Sequence, residues 1–157
     1  MQRDKVDDEL SELAFDFFFA FSRFEFALKE NGYLRDHTPD AVALPGWSEF
    51  VAEFSAAYKV SAEAQELLKA SPEQQVVGNH DALSWRAVDL SRSNSELDSV
   101  VKLLKTIRNN LFHGGKHSAA GWDDVPRTKT LLQSGLVVLE QLAALDAVLE
   151  PDFARLY

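Results

Sequence analysis

Cysteine is absent from the 157 residues. No disulfide, thiolate metal site or cysteine nucleophile is therefore open to this chain, and a reducing compartment suits it. Proline (five) and glycine (seven) are scarce. No stretch reads as a long flexible linker, no internal repeat or low-complexity tract occurs, and one domain over residues 1–157 is expected. Long apolar runs are missing too. The most apolar one, Leu13 to Phe21, is interrupted by Asp16, far short of the ~20 apolar residues that span a bilayer. Residues 1–10 are acidic and lack the apolar core of a secretion signal. A cytoplasmic protein without membrane contact is expected. No dinucleotide-binding or phosphate-binding glycine loop is present, and no serine lies in a nucleophile elbow. Asn79-His80-Asp81 reads as a loop rather than a metal ligand set. Neither cofactor nor metal is expected.

Basic charge is also short. Sixteen Lys and Arg face 25 Asp and Glu, a net charge of −9. Such a chain is unsuited to non-specific nucleic-acid binding. The distribution says more than the sum. Residues 99–120 hold Lys102, Lys105, Arg108 and Lys116 and no acid, so this window is +4 and the remainder is −13.

What the chain does have is apolar periodicity. Hydrophobic residues make up 46% of it, with eleven phenylalanines, enough to build a sizeable core. A first helix is expected from about Val6 to Asn31, stopped by Gly32. Leu10, Leu13, Phe17, Phe21, Phe24 and Leu28 share one face of it at helical spacing. Phe15, Phe19 and Phe26 form a second face. A helix apolar on two sides needs both covered. Either the domain wraps it, or the second face meets another copy of the chain.

A loop with Pro39, Pro45 and Gly46 follows. Further helices are expected at about Ser48–Tyr58 and Ser61–Ala70. Residues 73–92 are hard to read. They suggest short helical pieces, with Trp85 anchored in the core. Ser93 and Glu96 form a capping box for the next helix, whose apolar face is Leu97, Val100, Val101, Leu104, Ile107 and Leu111. It is expected to end near His113, with Gly114 and Gly115 as its left-handed stop. Pro126 starts a last helix, apolar at Leu131, Leu132, Leu136, Leu139, Leu142, Leu145 and Leu149, up to Pro151. Strand signal is almost nil. The fold expected is all-α, a single-domain bundle of four to five helices.

Chemistry concentrates at Ile107 to Lys116. Arg108 and His113 lie five residues apart, with Asn109 between them and two glycines after. Histidine moves protons near neutral pH, and arginine holds a phosphate that gains charge. Arg108 falls inside the apolar stripe, where a charge needs a partner. Glu25, at the edge of the first helix's core face, is the matching acid. The pair could fix the guanidinium and leave donors for a phosphate. Alternatively it is a plain inter-helix salt bridge, or the arginine snorkels to solvent. His113 lies on a more polar side, and Asn109, four residues earlier, shares its face and could orient the imidazole or contact substrate. Lys102, Lys105, Lys116 and His117 are candidate RNA contacts, with a solvated basic loop as the plainer reading of Lys116 and His117.

Arg108-Asn109-Asn110-Leu111-Phe112-His113 resembles the mark of the HEPN superfamily (higher eukaryotes and prokaryotes nucleotide-binding domains). That mark is an arginine, four to six residues, then a histidine, with a polar residue after the arginine. The string Phe21 to Lys29 resembles the first helix of bacterial and plasmid-borne members. The resemblance implies a HEPN-like helical fold and a metal-independent endoribonuclease, often a toxin or defence effector. It implies a homodimer in which both motifs line one cleft. Arg108 would bind the scissile phosphate, and His113 would act as general base or acid, leaving a 2′,3′-cyclic phosphate and a 5′-hydroxyl. A nucleotidyltransferase-type antitoxin is the implied partner. In one branch it modifies a tyrosine two residues after the histidine, and here that position is Gly115. A non-catalytic nucleotide-binding or partner-binding module of the same fold is the competing expectation, in keeping with the acidity and the doubly apolar first helix.

Overall fold

The computed structural model describes residues 8–112 and 124–155. Among them are six α-helices and one antiparallel hairpin: α1 (Asp8–Glu30), α2 (Trp47–Phe54), α3 (Ala62–Ala70), β1 (Glu73–Val77), β2 (Leu83–Ala87), α4 (Glu96–Phe112), α5 (Val125–Ala143) and α6 (Leu149–Ala154). The molecule is mostly helical, as expected, but it is not purely so. No described helix is long and apolar enough to cross a membrane.

The central element is α1, which lies against α4, α5 and α6. Phe17, Phe21, Phe24 and Leu28 recur every three or four residues, so one stripe of the helix is buried. Asp8 and Glu9 in its first turn and Lys29 in its last complement the helix dipole. Its stop is the one the sequence indicates. Gly32 adopts φ 79°, the Tyr33 N–H reaches the Leu28 carbonyl at 2.9 Å, and the Gly32 N–H reaches that of Lys29 at 3.2 Å. This is the Schellman arrangement, and its left-handed residue favours glycine. Leu34 then pairs with Pro45 in an isolated antiparallel bridge. Gly46 packs so tightly there that a Cβ would sit 2.5 Å from the Leu34 nitrogen.

One continuous core joins Phe17, Phe21 and Phe24 of α1 to Phe50 of α2, Leu67 of α3, Leu103 and Leu104 of α4, and Leu139 and Leu142 of α5. Helices α1 and α5 approach closely because Gly135 has no side chain. A Cβ there would lie 2.6 Å from the Phe17 ring. The end of α3 is capped from a distance. Ser71 turns left-handed, and Arg127, in the first turn of α5, donates to the Ala70 carbonyl at 2.7 Å.

Three elements differ from their expected form. Residues 73–92 hold no helical piece beyond a single turn at Asn79–Asp81. They form the β1–β2 hairpin, with Gln75 opposite Trp85 and Val77 opposite Leu83. His80 and Asp81 take φ of 55° and 60°, a conformation their short or polar side chains tolerate better than most. Trp85 stays on the hairpin, half-buried, and Val88 and Leu90 reach the core instead. The α4 cap also shifts by two residues. Ser95, not Ser93, accepts the Asp98 N–H at 3.1 Å, and Asp98 reaches back to the Asn94 N–H at 3.0 Å. Finally, the last expected helix is two. Past Ala143 the hydrogen bonds tighten to three-residue turns, because the Pro151 ring would clash with the carbonyl of residue 147 in a continuous helix. Asp146 then accepts the Val148 N–H at 2.8 Å and α6 begins.

Candidate functional site

Arg108 occupies the last turn but one of α4. It is half-buried and faces α1, as its place within the apolar stripe requires. Its surroundings are aromatic rather than acidic. The Cζ atom lies 5.7 Å from the centre of the Phe21 ring and 5.1 Å from that of Phe112. Both distances are within the range of cation–π attraction. Phe112 in turn packs on Phe18 of α1, ring centres 4.8 Å apart. One guanidinium hydrogen bond is made, from Nη1 to the Asn109 Oδ1 at 3.0 Å. The Nε–H is buried and has no partner among the described residues.

The expected Glu25–Arg108 pair does not form. Glu25 accepts a hydrogen bond from the Trp47 indole nitrogen at 3.0 Å. Trp47 itself is buried, with its ring 5.4 Å from Phe21 and 4.9 Å from Phe24. A buried indole N–H needs an acceptor, and Glu25 stands within its reach. The acid thus ties α2 to α1. Arg108 has no carboxylate partner among the described residues.

The remaining candidates divide. Asn109 is exposed. Its carbonyl oxygen holds the guanidinium, and its amide nitrogen has no partner among the described residues. Lys105 is exposed one turn before Asn109 on the same side of the helix. Lys102 is drawn the other way. Its ammonium contacts the Asp98 carboxylate at 3.0 Å and the Ser93 hydroxyl at 3.1 Å. It sits about 9 Å before Arg108 along the helix, and its charge serves the start of α4. His113, Lys116 and His117, with Gly114 and Gly115, lie outside the described residues.

Three contributors escaped sequence reasoning. Phe21 and Phe112 read as core and helix-end residues, although Phe112 stands four residues after Arg108, the spacing that puts two side chains together on a helix. Asn110 gives no sequence signal at all. Its amide donates to the Glu73 carbonyl at 2.7 Å and fastens the hairpin beside this end of α4.

The arrangement presents a planar cation, gripped by two rings and an amide, with spare donors. An anion with several acceptor oxygens, such as a phosphate diester, matches it chemically. No family model, no curated protein and no solved structure matches the chain.

Proposed function

We propose that this protein is a metal-independent endoribonuclease of the HEPN type, acting as a homodimer. The observation that carries the reading is Arg108, a half-buried cation with a buried Nε–H and, among the described residues, neither a partner for that N–H nor a neutralising acid. A buried donor without a partner is costly and persists where function uses it. Arg108 stands five residues before His113, in the one basic window of an acidic chain.

In this reading Arg108 binds the scissile phosphate of RNA. The phosphate gains charge as the 2′-oxygen attacks phosphorus, so the guanidinium binds the transition state more tightly than the ground state. His113 takes the proton of the 2′-hydroxyl or gives one to the departing 5′-oxygen. The phosphorus–O5′ bond breaks, leaving a 2′,3′-cyclic phosphate and a 5′-hydroxyl. Asn109 keeps the guanidinium in plane, and Lys105 adds attraction for a neighbouring phosphate. Toxin or defence activity, with a nucleotidyltransferase-type antitoxin as partner, accompanies this reading.

The test is incubation of the purified protein with RNA in excess EDTA, followed by analysis of the new ends. Wild type is expected to leave cyclic phosphate ends, and Arg108→Ala and His113→Ala are each expected to lose at least about a hundredfold in rate. Equal cleavage by all three proteins, or none by wild type, overturns the reading.

A second reading has its own observation. Phe15 and Phe26 are exposed on the outward side of α1, with Phe19 half-buried between them. Such a stripe fits a module that binds a partner without cutting RNA. Binding with no new RNA ends favours it.

A further inference from the structure

Arginines that must not move are usually held by an acid, but an acid also cancels the charge and competes with any incoming anion. Arg108 is held differently. Its guanidinium lies near the rings of Phe21 on α1 and Phe112 on α4, at 5.7 and 5.1 Å. These rings come from two elements and differ in kind. Phe21 is almost wholly buried, while Phe112 is 53% exposed. Phe18 backs Phe112 from α1 at 4.8 Å, so the outer ring is itself braced. Glu25, the acid that the sequence offers as its partner, is engaged by the Trp47 indole.

We infer that Phe112, with Phe21 behind it, is a positioning residue: an aromatic clamp that fixes the Arg108 guanidinium for an RNA phosphate without neutralising it. Ring faces attract a cation through their quadrupole and carry no net charge. The clamp therefore restricts the side chain while leaving its full charge and its outer donors to the phosphate. Preorganising the guanidinium removes the rotamer entropy that phosphate binding would otherwise cost. The inference rests on the reading of Arg108 as the phosphate-binding group.

The experiment measures binding of a short single-stranded RNA, its 2′-hydroxyls methylated to prevent cleavage, by fluorescence anisotropy at fixed salt. The proteins are wild type, Arg108→Ala, Phe112→Leu, Phe112→Tyr and the double variant Arg108→Ala/Phe112→Leu. Phe112→Leu is expected to weaken binding about tenfold, with only a small fall in thermal midpoint because about half of the ring is exposed. Phe112→Tyr keeps a ring face and is expected to bind like wild type. In the Arg108→Ala background, Phe112→Leu is expected to change nothing more, since the ring acts through the arginine. If Arg108→Ala weakens binding and Phe112→Leu does not, the clamp is overturned while the phosphate reading stands. If Phe112→Leu weakens binding equally in the Arg108→Ala background, the ring touches RNA directly and the clamp is again overturned. If Arg108→Ala binds like wild type, the phosphate reading itself falls, and the clamp with it.

Discussion

Trp47 holds the acid that the sequence offers to Arg108. Its buried indole N–H donates to Glu25 Oε1, and Glu25 makes no ion pair with Arg108. Removing the acceptor should therefore harm stability and not the anion site. Glu25→Ala is expected to cost about 1–3 kcal/mol, the cost of leaving a buried donor unpaired. Glu25→Gln, whose amide oxygen still accepts, is expected to cost well under half of that. Chemical denaturation of both variants measures the difference, and RNA affinity should follow neither. The sequence shows Arg108 and Glu25 as two misplaced charges, and that much of the site was legible. Their failure to pair was not, because the group that engages Glu25 lies 22 residues away on another helix.

Two tyrosines make a separate claim at the same scale. Burial, and then the charge of Glu96, pushes the Tyr58 hydroxyl up to about 12 from its usual 10.0. Tyr33 rises further through burial and the neighbouring Glu53 and Asp146 carboxylates, to which its hydroxyl donates. A group whose ionisation is delayed by folding favours the folded state fully below its unfolded value. That contribution fades as pH rises from about 10 toward the folded value. Stability is expected to be flat in this respect up to about pH 10 and to fall above it. Tyrosinate absorbance followed beside far-ultraviolet circular dichroism would show both tyrosines ionising late, together with unfolding. Ordinary titration of Tyr58 near pH 10 in the folded protein contradicts the assignment.

At the scale of elements, helical periodicity carried most of the fold. The apolar stripes of α1 and α4 are long and regular, and most of the residues they pick out are buried; Leu13 and Leu111 are only partly so, and Leu103 is buried outside the expected stripe. Breaks in pattern were harder to see. Leu142, Leu145 and Leu149 keep nearly helical spacing across the gap between α5 and α6, so nothing marks the gap except Pro151. The hairpin strands are five residues each, too short for alternation to stand out, and Val77 and Leu83 are 72% and 66% exposed at their paired ends. The crossing of α1 and α5 gives the sharpest prediction here. Gly135→Ala should improve local helix propensity yet destabilise the protein by about 1–3 kcal/mol, because the new methyl meets the buried Phe17 ring. A raised thermal midpoint would show that the helices have room to part. Phe17→Leu in the Gly135→Ala background is expected to recover part of the loss.

For the whole molecule, the outward side of α1 matters most. Phe15 is 65% exposed and stacks on Phe19 with ring centres 6.1 Å apart. Farther along the same side Arg23 lies over Phe26 at 4.5 Å. Apolar rings in a row on a solvent face mark an association surface. A homodimer is expected at micromolar concentration by light scattering, and Phe15→Asp with Phe19→Asp is expected to give a folded monomer. A wild type that is monomeric throughout that range counts against a dimeric nuclease.

The partners of α1 lie at the far end of the chain. It packs on α5 and α6, and Asn31 bonds Asp152 across 121 residues at 3.0 Å. A helical protein whose first element waits for its last closes a very long loop before its core is complete. Folding should therefore be slow for a helical domain of this size. During synthesis, the core phenylalanines of α1, Phe17, Phe21 and Phe24, lack their full cover until residues 125–155 leave the ribosome. The nascent chain, more than the finished protein, is then the species most in need of a chaperone.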